Sequence, residues 1–204
     1  SGLYDGATTI ELDLLCIRTA ALLIAEEPEY SKLAARLLSD FIDEEVRVQG
    51  VRSFETSIQM GHRMGLISDA TEAFVRRHAE VLNAAIRPER NDLFEYFGIR
   101  TLYDRYLLKN PTTREVFETP QYFFMRVACG LAQRVEEAIE MYALLSSLDY
   151  MASTPTLFNS GTLHSQLSSC YLLDSPHDYL VSIYEKYKDV ALLSKFAGGI
   201  GLSY

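Results

Sequence analysis

The sequence predicts a mainly α-helical first part followed by a strand–helix–strand unit of the kind found in parallel sheets. Through most of residues 8–150, apolar residues recur every three to four positions, which is the period of amphipathic helices. After Met151 the composition shifts to serine, threonine, proline, asparagine and glycine. A short apolar run, a helical run and a glycine-rich turn then follow. Parallel strands need such a helical crossover, so this last part favours an α/β arrangement.

The first helix is predicted over residues 8–26 and begins with a capping box. Thr8 and Glu11 have the three-residue spacing at which each side chain satisfies an orphan amide of the helix start. Pro28 suits the first turn of a second helix, which Gly50 would end as a C-cap. The predicted apolar stripes are Ile10, Leu14, Ile17, Ala21 and Ile24 in the first helix, and Leu33, Leu37, Leu38, Phe41 and Ile42 in the second.

Two further helices are predicted before residue 90. The first of them is weak and breaks near Gly65. The second is stronger, takes Asp69 or Glu72 as its cap, and runs until Pro88 stops it.

A β-hairpin is predicted within residues 106–119, after an aromatic-rich helix that extends to about Tyr106. Two short extended runs there flank an Asn-Pro turn. Two helical runs follow over residues 120–150, and residues 152–166 are expected to form a loop because they are rich in turn-forming residues.

Composition argues against several classes of function. The chain has 204 residues, 48% of them apolar and 23% charged, as in an ordinary soluble protein. A net charge of −9 argues against a DNA-binding surface, which needs clustered positive charge. The apolar runs are too short for a membrane span, and the N-terminus lacks the features of a secretory signal. Both chain ends suggest a fragment.

The three cysteines are far apart and form no Cys-x-x-Cys pair, so a reducing, cytoplasmic location is expected. Cys16 and Cys129 lie on amphipathic helices and are interpreted as core residues. Cys170 follows two serines and begins a short apolar run typical of a buried strand. Local chemistry leaves two interpretations of it open, a buried structural cysteine or a redox thiol beside a hydroxyl-lined pocket.

Two other patterns are weak by themselves. The glycines of residues 197–201 either cap the preceding helix or allow a ligand to approach the backbone closely. The histidines show no metal-ligand spacing, so no metal site is expected; they are His62, His78, His164 and His177.

Three ordered blocks in residues 154–204 resemble the large, catalytic subunit of class I ribonucleotide reductase. They are Thr-Pro-Thr, then Gln-Leu-Ser-Ser-Cys, then Ser-Lys-x-Ala-Gly-Gly-Ile-Gly, within TPTLFNSGTLHSQLSSCYLLD and DYLVSIYEKYKDVALLSKFAGGIGLSY. Upstream, YLLKNPTTREVFETPQYFFMRVA is similar to the helical domain of that family, and LYDGATT and PEYSKLAARLL resemble the end of its ATP-cone.

The resemblance implies a three-part organisation. Residues 1–50 would be the end of a truncated or degenerate ATP-cone with the following helix, and residues 51–150 the helical N-terminal domain with its hairpin. Residues 151–204 would begin a ten-stranded α/β barrel and supply its first strand–helix–strand portion.

The resemblance also implies the roles of individual residues. Cys170 matches a redox-active cysteine that protonates the departing 2′-hydroxyl and ends in a disulfide. Thr154, Ser169 and the backbone of Gly198 and Gly199 match substrate contacts. Two allosteric effector contacts are matched by Asp178 and Lys195, at a site that lies at a dimer interface in this family.

The implied enzyme reduces ribonucleoside diphosphates by radical and dithiol chemistry. No cofactor is expected on this fragment, while the parent enzyme uses ATP, dATP and dNTP effectors and a radical from a metal-containing small subunit. Its other partners would be the rest of the large subunit and thioredoxin or glutaredoxin. The thiyl-radical and partner cysteines would lie beyond Tyr204, so the chain alone is expected to be inactive.

Three alternatives stay open. The helical part could be a non-catalytic assembly or regulatory module, and the same region occurs in a cobalamin-dependent class II reductase. An anaerobic class III reductase shares the chemistry.

Overall fold

A computed structural model of the chain describes residues 6–195 and 198–203. Residues 1–5 of the predicted ATP-cone end and Ala197 of the glycine-rich turn lie outside the described residues. The described elements are α1 (Thr9–Leu22), α2 (Tyr30–Val48), α3 (Phe54–Arg63), α4 (Asp69–Arg77), α5 (Ala79–Ala85), α6 (Tyr96–Thr101), α7 (Pro120–Leu131), α8 (Val135–Ser146), α9 (Thr154–Asn159), β1 (Cys170–Leu173), α10 (Leu180–Lys195) and β2 (Gly199–Leu202). Short 3₁₀ helices span Leu23–Ala25 and Pro88–Leu93, and one π-helical turn spans Leu102–Tyr106.

The capping box of α1 is confirmed, but its predicted apolar stripe is partly wrong. Thr8 Oγ1 accepts from the Glu11 amide at 3.3 Å, and Glu11 Oε2 accepts from the Thr8 amide at 2.9 Å. Ile17 and Ala20 are buried, whereas Ile10 is 60% exposed. Because α1 packs mainly against α2, only a narrow face of it is covered.

The core is centred on α7, which is surrounded on all sides. Nine of its residues are buried, including Phe123, Phe124 and Met125. It packs against α3, α4, α8 and α9. A helix that is buried around most of its circumference belongs at the centre of a domain, so α7 is the element against which the others are placed.

A chain of buried and partly buried hydrogen bonds connects four segments of this core. Tyr142 in α8 donates to Gln121 in α7 at 2.8 Å, and Gln121 donates to Asn91 at 2.8 Å. Asn91 in turn donates to Ser39 in α2 at 3.0 Å, while the Tyr142 oxygen accepts from the Arg87 amide at 2.8 Å. Buried polar groups need such partners, so this chain fixes how the helices meet.

The helix break at Gly65 is confirmed, and two predictions about the next helix are wrong. Gly65 has φ +71°, a conformation that glycine adopts without strain. Ser68, rather than Asp69 or Glu72, caps α4, since its side chain accepts from the Thr71 amide. The single helix predicted up to Pro88 is divided at His78, where φ is −116° and the backbone leaves the helical region.

The two extended runs predicted within residues 106–119 are reduced to one antiparallel bridge, between Lys109 and Val116. Asn110 Oδ1 accepts from the amides of Thr112 and Thr113, and Arg114 has φ +66°. These turn contacts occupy most of the connection, so few residues remain for a ladder.

Residues 152–166 are not the pure loop that their composition predicts, because they contain α9. Ser153 stands at the N-cap position and Pro155 in the first turn, where its missing amide costs nothing. Thr156 Oγ1 donates to the Leu167 carbonyl at 3.0 Å, and Asn159 Nδ2 donates to the Gln166 carbonyl at 2.6 Å. These bonds tie α9 to the segment that enters β1.

The predicted strand–helix–strand unit is confirmed. β1 and β2 pair in parallel, with Cys170 opposite Gly199 and Leu173 opposite Leu202, and α10 provides the crossover. The prediction of a buried strand is wrong: Cys170 is exposed, and Leu172 is 86% exposed. Within residues 6–195 and 198–203 these two strands make a sheet of their own, so no third strand or second layer covers Leu172.

None of the described helices has the length and apolar character needed to cross a membrane.

Candidate active-site cleft

A cleft of about 950 Å³ opens where the helical part meets the sheet. Its walls come from the turn after α3, the hairpin, α9 with the following loop, the residue before β1 and the end of α10. Three residues matched by the resemblance lie among its lining residues, which are Gly65, Leu66, Leu108, Thr154, Pro155, Phe158, Asn159, Thr162, Leu163, His164, Ser169 and Lys195.

Thr154 is exposed at the first position of α9, where its hydroxyl borders the cleft. Its Oγ1 lies 3.2 Å from the Tyr106 hydroxyl. The Tyr106 ring stacks on Phe158 with the ring centroids 4.5 Å apart and meets Phe123 edge to face. Tyr106 therefore links the helical core to two side chains of α9, the Thr154 hydroxyl and the Phe158 ring.

Cys170 and Gly199 face each other at the start of the sheet. The Gly199 amide donates to the Ser169 carbonyl at 2.8 Å. A Cβ on Gly199 would lie 3.3 Å from that carbonyl and 3.6 Å from Cys170 Sγ. A Cβ on Gly198 would lie 2.6 Å from the Tyr171 ring, closer than real Cβ contacts. Glycine at position 198 therefore lets β2 approach β1, and both glycines leave the backbone open beside the cysteine.

Asp178 and Lys195 lie at opposite ends of α10. Lys195 ends the helix and lines the cleft, whereas Asp178 is exposed before the helix and is not among the lining residues. A helix of 16 residues is about 24 Å long. The two predicted effector contacts are therefore separated by the length of α10 and do not lie side by side in this chain.

The other two cysteines differ from each other. Cys129 is a core residue, as predicted, and burial raises its pKa to about 12. The prediction for Cys16 is wrong, because Cys16 is exposed in a shallow apolar groove between α1 and α2. Apolar neighbours in the sequence predicted burial, but α1 presents Ile17 and Ala20 to the core instead.

Comparison with known proteins identifies the family. A model of the all-alpha domain of ribonucleotide reductase matches residues 92–165, and a model of the barrel domain of ribonucleotide reductase matches residues 168–204. The chain belongs to the ribonucleotide reductase large-subunit family.

Curated relatives agree along the whole chain. It is 41% identical to the ribonucleoside-diphosphate reductase large subunit of Caenorhabditis elegans, over 100% of this chain and 26% of the relative. The corresponding large chain of Schizosaccharomyces pombe is 38% identical with the same coverages, and the monkeypox virus large subunit is 39% identical over 99% and 27%. The chain thus spans about a quarter of the length of these relatives.

The two matched ribonucleotide reductase domains meet at the cleft. Residues 154–164 fall in the all-alpha match, whereas Ser169 and Lys195 fall in the barrel match. Binding sites commonly lie between domains, because walls from both sides can close on a ligand. Hydroxyls at such a junction are suited to binding phosphate oxygens without adding bulk.

Sequence reasoning did not single out Leu66, Leu108 or Tyr106, which reach this cleft from other parts of the chain. The two leucines line the cleft, and Tyr106 contacts Thr154. None belongs to a chemical motif, and each comes from a segment far from residue 154 in the chain. The one sequence signal was the aromatic-rich segment that ends at Tyr106, which is typical of residues that pack against a core.

Proposed function

We propose that this chain forms the helical domain and the first barrel strands of a ribonucleoside-diphosphate reductase large subunit. In this proposal Cys170 is one thiol of the redox pair that reduces the ribose. The observation that carries it is the position of Cys170, which is exposed at the start of β1 opposite Gly199 and directly follows Ser169, a residue that lines the cleft.

The reaction proposed for Cys170 is a two-electron reduction of the ribose coupled to the oxidation of two thiols. Once a radical has been formed on the ribose, the Cys170 thiol donates a proton to the 2′-hydroxyl, and the C2′–O bond breaks to release water. Cys170 and a second thiol then supply two electrons and become a disulfide, while C2′ gains hydrogen. The second thiol is proposed to come from outside this chain, because Cys129 is buried within α7 and Cys16 lies in α1, away from the cleft. The radical is likewise proposed to come from outside, from the small subunit.

Thr154, Ser169 and the Gly198–Gly199 backbone are proposed to hold the substrate. Thr154 would donate to the diphosphate, Ser169 would line the pocket, and the glycines would let the nucleotide approach the sheet. The supporting geometry is the common cleft of Thr154 and Ser169 and the close pairing of Gly199 with Cys170.

Asp178 and Lys195 are proposed as contacts to a dNTP effector contributed by two copies of the subunit. Their separation along α10 supports this arrangement, because it favours contacts from two copies over contacts from one. The remaining partners in the proposal are the rest of the large subunit, a radical-generating small subunit and thioredoxin or glutaredoxin, all acting in the cytoplasm with ATP and dATP as further effectors.

The test is a chimera in which this chain replaces the matching quarter of the S. pombe large chain. Combined with the S. pombe small subunit, the chimera should reduce CDP to dCDP. Cys170→Ser should abolish turnover because it removes one of the two electron-donating thiols. Full turnover by Cys170→Ser would disprove the assigned role.

Cys16→Ser is the matched control, because Cys16 is also exposed but lies in α1, outside the cleft. It should leave CDP reduction unchanged. A chimera that folds, binds the small subunit and has no activity before any cysteine is changed would favour the alternative of a non-catalytic assembly module.

A further inference from the structure

Arg126 is a fully buried arginine in α7 that the proposed chemistry does not use. It pairs with Glu118 through two contacts, Nε to Oε1 at 2.6 Å and Nη2 to Oε2 at 3.3 Å. The two side chains are 0% and 1% exposed. A buried pair of this kind is often no more stabilising than apolar residues of the same volume, because both charges must be desolvated. Since stability does not explain the pair, the other contacts of Arg126 and Glu118 indicate what the pair does.

Those contacts lead to two walls of the cleft. Arg126 Nη1 donates to the Ser160 carbonyl at 2.6 Å, directly after α9. Glu118 Oε2 accepts from the Leu108 amide at 3.0 Å. Leu108 itself lines the cleft, and Ser160 lies between the lining residues Asn159 and Thr162. The ion pair thus holds the hairpin wall and the α9 wall at a fixed separation.

The loop that follows Ser160 carries this constraint to a third wall. Gly161 packs against Arg126, since a Cβ there would lie 3.0 Å from the Arg126 carbonyl, and its own carbonyl accepts from the Ser68 amide at 3.3 Å. Leu163 donates to the Leu66 carbonyl at 2.9 Å. Leu66 and Leu163 both line the cleft, so three walls are fixed relative to one buried guanidinium.

We propose that Glu118 and Arg126 are positioning residues for the nucleotide cleft. They act through Leu108 and Ser160 and set the separation at which the walls can close on a ribonucleoside diphosphate. This inference rests on the proposed function for the identity of the ligand, while the positioning itself can be measured without any ligand.

The decisive variant is the double replacement Glu118→Leu with Arg126→Met. It removes both charges together and leaves no unpaired charge in the core, so the fold is expected to persist. The amides of Thr162 and Leu163 keep their own acceptors, Asn159 and Leu66, in this variant. Faster hydrogen exchange at these two amides would therefore report a loosened wall rather than a lost bond.

We expect exchange at Thr162 and Leu163 to become about tenfold faster in the double variant, with exchange of the α2 amides unchanged. In the S. pombe chimera we expect KM for CDP to rise about tenfold with kcat nearly unchanged, as for loss of ground-state positioning. Wild-type exchange at both amides would overturn the proposal and leave the pair a structural element only.

Arg126→Lys covers the case in which the double variant does not fold. Lysine keeps the charge opposite Glu118 but lacks the planar fork that reaches Glu118 and Ser160 together, so the same two amides should exchange faster. An inactive wild-type chimera would count against the proposed function alone, because the exchange measurement needs no activity.

Discussion

Replacing Gly130 by alanine would place a methyl group inside the loop that follows α9. Gly130 lies near the end of α7, and a Cβ built there would be 2.1 Å from the Gly161 amide nitrogen. It would also be 2.4 Å from Ser160 Oγ and 2.7 Å from Gly161 Cα. Two of these three atoms belong to the backbone, so a side-chain rotation cannot relieve the overlap.

The expected loss of stability follows from two opposing effects. Alanine in place of glycine favours a helix by about 1 kcal/mol. Overpacking of a tight contact costs about 1–3 kcal/mol, and the backbone overlap at Gly130 favours the upper end. The net loss is then about 2 kcal/mol, which for a chain of this size lowers Tm by roughly 4–8 °C.

Gly98→Ala is the matched control, because Gly98 also lies within a helix, α6. Its added Cβ would meet only the Phe94 ring, at 3.4 Å. Scanning calorimetry of the two variants and the wild-type chain should place Gly98→Ala at or above the wild-type Tm and Gly130→Ala clearly below it. If Gly130→Ala has the same Tm as Gly98→Ala, the close approach of α7 to the cleft loop described above is incorrect.

Two further predictions concern thiols and a carboxyl group. A thiol reagent should modify Cys16 and Cys170 quickly in the native chain and Cys129 only on unfolding, because Cys129 is 4% exposed and burial raises its pKa to about 12. Peptide mapping by mass spectrometry would identify the labelled cysteines. Rapid labelling of Cys129 in the native chain would contradict the prediction. Burial also raises the pKa of the Glu45 carboxyl above its value in the unfolded chain. Between the unfolded and the folded pKa, the unfolded chain binds fewer protons than the folded chain, so the free energy of unfolding falls as pH rises through this interval. Glu45→Gln should therefore unfold at higher urea concentration than wild type at neutral pH but not in acid. The Glu44 carboxyl is exposed, and hydrogen bonding to Arg47 lowers its pKa, so Glu44→Gln should show no such gain.

Local signals were enough for much of the fold. The capping box at Thr8, the break at Gly65 and the strand–helix–strand unit around α10 each depend on neighbours in the sequence, and each is present. Helix α9 was missed because its composition resembles a loop. Pro155 after Ser153 is a signal for a helix start, yet the bonds that hold so short a helix come from residues 166 and 167, which local patterns do not reveal.

The cleft was predictable only in part. Family resemblance pointed to Thr154 and Ser169 as substrate contacts, and both line it, whereas Gly198 and Gly199, matched in the same way, are not among its lining residues. Lys195 also lines it, although the resemblance matches Lys195 to an effector contact. Leu66 and Leu108 come from distant segments and carry no chemistry of their own, so only the packed structure brings them there. Burial was also hard to predict for Cys16 and Cys170, because apolar neighbours predict a buried side chain only where a second layer of structure covers it.

The sheet made by β1 and β2 has open edges on both sides. Within the described part of the chain, the outer backbone amides and carbonyls of the two strands face no further strand, and Leu172 stands exposed beside them. A pair of strands is marginal by itself, and unpaired edges are templates for pairing with other chains. Further barrel strands could add at these open edges. The same edges make the isolated polypeptide prone to edge-to-edge aggregation, so its solubility depends on what pairs with them.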